Sequence, residues 1–286
     1  MPLDRRDFLK TLGVAGTGLL LGRKTLQASS GPRSDKEFMA VLYDSTRCIG
    51  CQSCEFACAE ANGLEEPVGE PEIGTLRDTD EKHRTVVNAF DTSKGEFFVK
   101  KQCLHCNQPA CDAACLTQAM HKTEEGPVIW RGDKCMGCRF CMVSCPFDVP
   151  KFEYFSANPK IEKCDMCYER QLAGEIPACV EACPAEALMF GTRREMLAEA
   201  HRRIAENPEQ YVNHIYGDTE AGGTGWLTLS AVPFEEIGMK TNVRHESYPK
   251  LTKGFISSIA PVDILLPAAL LGIYEATRSK DEEEEL

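Results

Sequence analysis

Cys135-Met136-Gly137-Cys138-Arg139-Phe140-Cys141-Met142-Val143-Ser144-Cys145-Pro146 sets three cysteines at intervals of two intervening residues, a fourth after three more, and a proline directly behind it. A loop that tight wraps three thiolates around one compact centre while the fourth points away along the chain. Working outward, related runs appear on both sides: Cys48-x2-Cys51-x2-Cys54-x3-Cys58, Cys103-x2-Cys106-x4-Cys111-x3-Cys115, and Cys164-x2-Cys167-x11-Cys179-x3-Cys183-Pro184. Four runs of four use all 16 cysteines, and this is an internal repeat. The runs are not equivalent. Pro146 and Pro184 turn the chain away after the last cysteine of their runs, whereas Ala59 and Leu116 follow Cys58 and Cys115.

Three common thiol chemistries fit this pattern poorly. Disulfides dominate in small exported scaffolds, and closely spaced C-x2-C-x2-C runs offer poor bridging geometry. Zinc takes four tetrahedral thiolates, usually as two separated C-x2-C pairs, which the fourth run resembles but the first and third do not. Catalytic dithiol chemistry needs one or two C-x2-C pairs, not 16 cysteines in register. The first and third runs instead carry the spacing with which bacterial ferredoxins bind 4Fe-4S clusters, the last cysteine of each run completing the other cluster of a pair. The x4 and x11 spacings then read as insertions that bulge out as loops. Ala119 to Trp130 reads as strand, glycine-containing turn, strand. Thr192-x-x-Glu195 is a capping box that opens a helix through about Ala205, with Met196, Leu197, Ala200 and Ile204 on one face.

With 286 residues, 43% of them hydrophobic and 27% charged, the chain can bury a core. Its formal charge of −12 repels a polyanion, which excludes nucleic acid as a natural partner. No Gly-x-Gly-x-x-Gly follows a strand and no P-loop is present, so a self-contained flavin or nucleotide enzyme finds no support. Arg5-Arg6 with Phe8-Leu9-Lys10, an uncharged run from Thr11 to Gly22 and a polar stretch from Ala28 follow the order of an export signal, cleaved near Ala28. The run is too short to span a membrane. Phe255 to Tyr274 holds Asp263 as its only charge and is flanked by Lys250, Lys253, Arg278 and Lys280. Its length suits one span, while Asp263, Pro261 and Pro267 argue against one. A membrane span and an apolar helix docked on a partner or on the membrane surface both remain open. Asp281 to Glu285 reads as a solvated acidic tail.

Over nearly its whole length the chain resembles the four-cluster ferredoxin subunit of exported NiFe hydrogenases and formate dehydrogenase-type membrane oxidoreductases. The resemblance is carried by the cysteine runs and by Leu42 to Cys48, Lys100 to Cys103, Phe190 to Arg193, Ile215 to Gly217, Gly222 to Thr224 and Val232 to Phe234. It implies an α+β fold of tandem bacterial-ferredoxin-like modules with β-hairpins and inserted loops, plus a C-terminal helical anchor. The expected organisation is a twin-arginine signal over 1–30, a four-cluster double-ferredoxin domain over 36–190, a helical and extended C-terminal extension over 191–250, and an anchor helix with acidic tail over 251–286.

The resemblance also implies the ligand sets of four 4Fe-4S clusters. They are Cys48, Cys51 and Cys54 with Cys183; Cys164, Cys167 and Cys179 with Cys58; Cys103, Cys106 and Cys111 with Cys145; and Cys135, Cys138 and Cys141 with Cys115. Such a subunit is not catalytic. It relays electrons between an exported catalytic subunit, of NiFe hydrogenase or molybdopterin type, and a membrane quinone-reactive or cytochrome b-type subunit. Feeding a molybdopterin terminal reductase, or acting as a free periplasmic polyferredoxin, are the alternative uses of the same parts. The implied location is the periplasmic side of the cytoplasmic membrane, reached by the twin-arginine route, which carries folded, cluster-loaded protein. Lys100, Lys101 and His105 flank or lie within the second run and can tune a potential, although charged residues beside a loop usually face water. His83, His201, His214 and His245 show no metal-binding spacing, and Trp130 and Trp226 read as packing or interface residues.

Overall fold

The computed structural model describes residues 37–284, with side chains described through Tyr274. The expected export signal lies outside the described residues, as do the side chains of the acidic tail.

Each cysteine run is delivered by a strand and carries at least one of its cysteines on a helix. Strand β1 (Met39–Asp44) leads into the first run and α1 (Ser53–Asn62). A hairpin of β2 (Val86–Thr92) and β3 (Gly95–Lys101) delivers the second run, which includes α2 (Ala110–Ala113). A short hairpin, β4 (Met120–Lys122) and β5 (Val128–Trp130), leads to the third run and α3 (Phe140–Ser144). Its position is that of the hairpin read between Ala119 and Trp130. The pair β6 (Lys151–Phe152) and β7 (Ile161–Glu162) leads to the fourth run, whose x11 insertion forms α4 (Tyr168–Leu172) and the turn into α5 (Ala178–Glu181). Then follow β8 (Leu188–Thr192), α6 (Arg193–Glu206), β9 (Trp226–Leu229) and α7 (Tyr248–Glu284). Mixed helices and small sheets make this an α+β fold.

The strand pairing ties the runs together two by two. β8, which leaves the fourth run, lies antiparallel to β1, which enters the first, with Met39 opposite Thr192 and Tyr43 opposite Leu188. Likewise β4 leaves the second run and pairs with β5, which enters the third. The helices follow suit: α1 packs against α5, and α2 against α3.

β9 completes a three-stranded sheet by pairing parallel to β1, Val41 opposite Trp226. A strand turns alternate residues to opposite faces, and this one is covered on both. Val41 and Tyr43 join the main core with Leu104, Phe147, Met166 and Trp226, against which Cys48, Cys54, Cys106, Cys145 and Cys183 pack. Ala40 and Leu42 face α6, where Met196, Ala200 and Ile204 are buried with Leu227 and Leu229. The capping box at the start of α6 is formed: Glu195 N–H donates to Thr192 Oγ1 (3.3 Å) and Thr192 N–H to Glu195 Oε2 (3.0 Å). A fully buried carboxylate locks α6 to the sheet. Asp44 accepts from Arg203 Nη1 and the Tyr211 hydroxyl, both at 2.8 Å.

α7 continues through Pro261 and Pro267, and its side chains from Leu251 to Tyr274 are exposed. Tyr248 to Tyr274 is long and apolar enough to cross a membrane. Those 27 residues extend about 40 Å at the helical rise, more than a bilayer core of roughly 30 Å.

Candidate metal centres

The four loops share one backbone device. The second spacer residue of the first C-x2-C step in every run has positive φ: Gly50 (71°), His105 (50°), Gly137 (72°) and Met166 (58°). That left-handed residue turns the chain back so that successive cysteines face one side of the loop. A second device follows the last cysteine of three runs, where Gln118, Asp148 and Glu186 also have positive φ and donate their N–H groups to the carbonyls of Cys115 (3.0 Å), Cys145 (3.3 Å) and Cys183 (3.3 Å). Cys58 is the exception. It lies inside α1, which runs on to a left-handed Gly63. A proline is therefore not required for the turn, because the Leu116 run makes it too.

All 16 thiols are free. Electrostatically, Cys48 feels Cys51 and Cys183, while Cys58 feels Cys179 and Cys167, Cys164 feels Cys58 and Cys179, and Cys167 feels Cys179. Cys106 and Cys111 feel Cys103 and Cys145, and Cys141 feels Cys115, Cys135 and Cys138. Cys54 feels both Cys48 and Cys179, so it stands where the first two neighbourhoods meet. One cavity is lined by Cys48, Cys51, Cys54 and Cys183 together with Tyr43, Lys100 and Pro184. Each neighbourhood thus joins three cysteines of one run to the last cysteine of another.

This donor set suits iron-sulfur groups, which favour soft thiolates and N–H groups directed at sulfur. Ala119 and Met120 N–H groups reach Cys115 Sγ at 3.1 and 3.4 Å, and Met166 N–H reaches Cys164 Sγ at 3.3 Å. Among the described residues, no three His, Cys, Asp or Glu side chains converge as the ligands of a single metal ion would.

Residues 95–193, which hold the second to fourth runs, match the 4Fe-4S dicluster domain family. The chain is 30% identical over 303 residues to the nitrate-inducible formate dehydrogenase iron-sulfur subunit of Escherichia coli K12, covering 100% of this chain and 99% of that one. It is 35% identical over 278 residues to the hydrogenase-2 operon protein HybA of Escherichia coli O157:H7, with 83% and 84% covered. A protein of Nitratidesulfovibrio vulgaris is 43% identical over 289 residues, with 98% of this chain and 78% of that one covered. The chain belongs to the hydrogenase and formate dehydrogenase type of iron-sulfur subunit. It is an electron-transfer component and not the catalytic one.

In this iron-sulfur subunit, burial pushes most of the thiols up. Cys54, Cys106, Cys111 and Cys164 rise well above the usual thiol range, Cys58 to about 12 and Cys141 to about 11. Metal binding must displace those protons, so loading is coupled to proton release. Cys115 departs from the pattern: desolvation raises it, but the Met120 N–H, the Thr117 hydroxyl and the Ala119 N–H outweigh that and hold it below its ordinary value.

The expectation of solvated charges beside the second run fails at two of its three residues. Lys100 is 5% exposed and His105 fully buried, whereas the Lys101 side chain is 41% exposed and pairs with Asp78 (2.7 Å). Burial first, and then Lys163, Lys122 and Lys100, keep His105 far below its usual value and neutral. Its Nδ1 accepts the Val128 N–H at 2.9 Å, which leaves the ring proton on Nε2. Lys122 and Lys163 are buried as well, and sequence reasoning passed over both. Lys122 Nζ donates to the His105 carbonyl (3.0 Å), and Lys163 Nζ to the carbonyls of Val128 and Cys164. One available signal was the basic residue near the head of every run, at Arg47, Lys100, Lys134 and Lys163.

Proposed function

We propose that the chain holds four 4Fe-4S clusters in the order Cys48/Cys51/Cys54/Cys183, Cys58/Cys164/Cys167/Cys179, Cys103/Cys106/Cys111/Cys145 and Cys115/Cys135/Cys138/Cys141. The observation that carries this is the three-plus-one grouping of the thiols, with every cysteine used. Cys54 and Cys179 adjoin the first two sets. Lys163 links the next two, because it binds the Cys164 carbonyl and its charge reaches Cys111. Cys111 and Cys141 share one apolar cluster, beside which Cys115 and Cys135 pack, and this adjoins the last two sets. Cys51 and Cys138, the two exposed cysteines, stand in the first and last sets. Electrons therefore enter and leave at the ends, and the middle is insulated by buried protein.

Bound clusters supply one-electron storage at potentials set by burial, nearby charge and hydrogen bonds to sulfur. The chain's own part is to fix the thiolates, exclude water from the central sets and aim N–H groups at sulfur. The relatives support a hydrogenase or formate dehydrogenase catalytic subunit as the donor, and the length of α7 favours a membrane quinone-reactive acceptor. Residues 1–30 act as a twin-arginine export signal in this scheme, placing the complex on the periplasmic face.

Anaerobic purification with quantified iron and labile sulfide tests the cluster count: about 16 iron atoms per chain are expected, four for each cluster. About 12 or fewer in fully assembled protein, or no labile sulfide, overturns it. Truncation after Lys250 should leave the iron content unchanged and release the protein from the membrane fraction. Undiminished membrane association would count against the anchor. Replacing Arg5 and Arg6 by Lys should strand loaded protein in the cytoplasm, and normal export would remove the twin-arginine assignment.

A further inference from the structure

Lys100 is an ammonium buried where nothing acidic pairs with it among its described contacts. Its Nζ donates to Thr85 Oγ1 (2.5 Å) and stands 4.9 Å from the centre of the buried Trp226 ring. The side chain also lines the cavity of Cys48, Cys51, Cys54 and Cys183, and its charge acts on Cys54, Cys58, Cys164 and Cys179. The residue thus faces thiols of two neighbourhoods at once. Burying an unpaired ammonium is costly, so a compensating negative charge is required nearby. Once clusters are bound and the thiol protons displaced, the thiolates supply it.

We propose that Lys100 is a potential-setting residue shared by the first two clusters, one that makes both easier to reduce. This rests on the cluster assignment above. Each cluster takes up one electron on reduction, with no proton and no bond change required, and so gains one unit of negative charge. A fixed positive charge in a low-dielectric interior favours the more negative state. Lys122 and Lys163 reach the next set, at Cys106 and Cys111, and Lys100 is not among the principal charges acting on either thiol. The effect of Lys100 is therefore confined to the first half of the relay, where it holds electrons back from passing onward too steeply.

The test is a redox titration of the anaerobic full-length protein, followed by paramagnetic resonance, in the parent, K100Q and K100R. K100Q keeps a hydrogen-bonding head and removes the charge, whereas K100R keeps the charge. With iron content unchanged, K100Q should lower two of the four midpoints by about a tenfold change in the reduced-to-oxidised ratio, which is ~59 mV for a one-electron couple. The other two should stay in place, and K100R should hold all four near the parent values. No shift in K100Q, an equal shift in both variants, or a uniform shift of all four overturns the proposal. If K100Q assembles with less iron, T85V is read instead: it frees the ammonium without removing it, and a smaller shift of the same two midpoints is expected, unchanged midpoints being the contrary result. Parent protein with fewer than four titrating clusters would count against the cluster assignment and not against Lys100.

Discussion

The two halves of the cysteine repeat sit in different mechanical settings. The first and fourth runs are clasped by a five-pair β1/β8 ladder, by β9 and by the ten-residue α1, and their cysteines pack on the main core. The second and third runs are joined by a three-pair β4/β5 ladder and by helices of four and five residues; Cys103, Cys106 and Cys145 still pack on the main core, but Cys111 and Cys141 lie with Met120, Val128 and Ile161 in a small separate cluster, beside which Cys115 and Cys135 pack. Large apolar side chains surround that second pair in the open, Leu116 at 88% and Val143 at 81% exposure, with Met136 and Phe140 beside them. One thiol pattern can thus be carried by a scaffold with a full core or, as around Cys111, Cys115, Cys135 and Cys141, by one with little core apart from its thiols. In the latter, metal binding must supply much of the folding free energy.

The sharpest way to break this contrast is to remove one matching cysteine from each half. Cys183→Ala should cost a single cluster, about 4 of about 16 iron atoms, because the surrounding sheet and core persist. Cys115→Ala should cost both inner clusters, about 8 iron atoms, because Cys115 packs on the small cluster that Cys111 and Cys141 share. Equal iron losses in the two variants would show that the scaffolds are equally self-sufficient.

Asp44 offers a second comparison, this time of protein stability. Asp44→Ala leaves the buried Arg203 without its sheet-side partner, and breaking a buried pair from one side costs about 3–5 kcal/mol. Urea unfolding followed by circular dichroism should show that loss, with the iron of the inner pair retained longest at denaturant concentrations that strip the outer pair. Retention in the opposite order would reverse the assignment of which half depends on the sheet.

Gly50 and Gly137 occupy the same place in the first and third runs, with φ of 71° and 72°. An added Cβ is strained at both by about 1–2 kcal/mol. At Gly50 it would also meet the Phe98 ring at 2.5 Å, whereas at Gly137 the nearest atom, on Phe152, is 4.0 Å away. Gly50→Ala should therefore be the more destabilising by about 1–3 kcal/mol of overpacking, read from the shift in urea midpoint. Indistinguishable midpoints would mean that Phe98 yields freely and the outer loop is no more tightly packed than the inner one.

Much of the scaffold was legible because its signals are local. The β4/β5 hairpin follows from Ala119 to Trp130, and α6 from the Thr192-x-x-Glu195 box and the apolar spacing of Met196, Ala200 and Ile204. Other features were not. Trp226 and Val41 become neighbours in a parallel pair although 185 residues separate them, and no turn signal announces such a contact. Lys100 and His105 read as solvated because charge and polarity near a loop favour water, yet the strands and Trp226 close over them.

By itself, the order of residues determined the chemistry: runs of cysteine at these intervals present thiolates in a count and spacing that pairwise bonds or single ions use poorly. Tertiary structure alone decided which charges lie among those thiolates. Spacing is a property of a few adjoining peptide units, whereas the burial of an ammonium depends on which distant segments cover it, and that is settled only when the whole core packs.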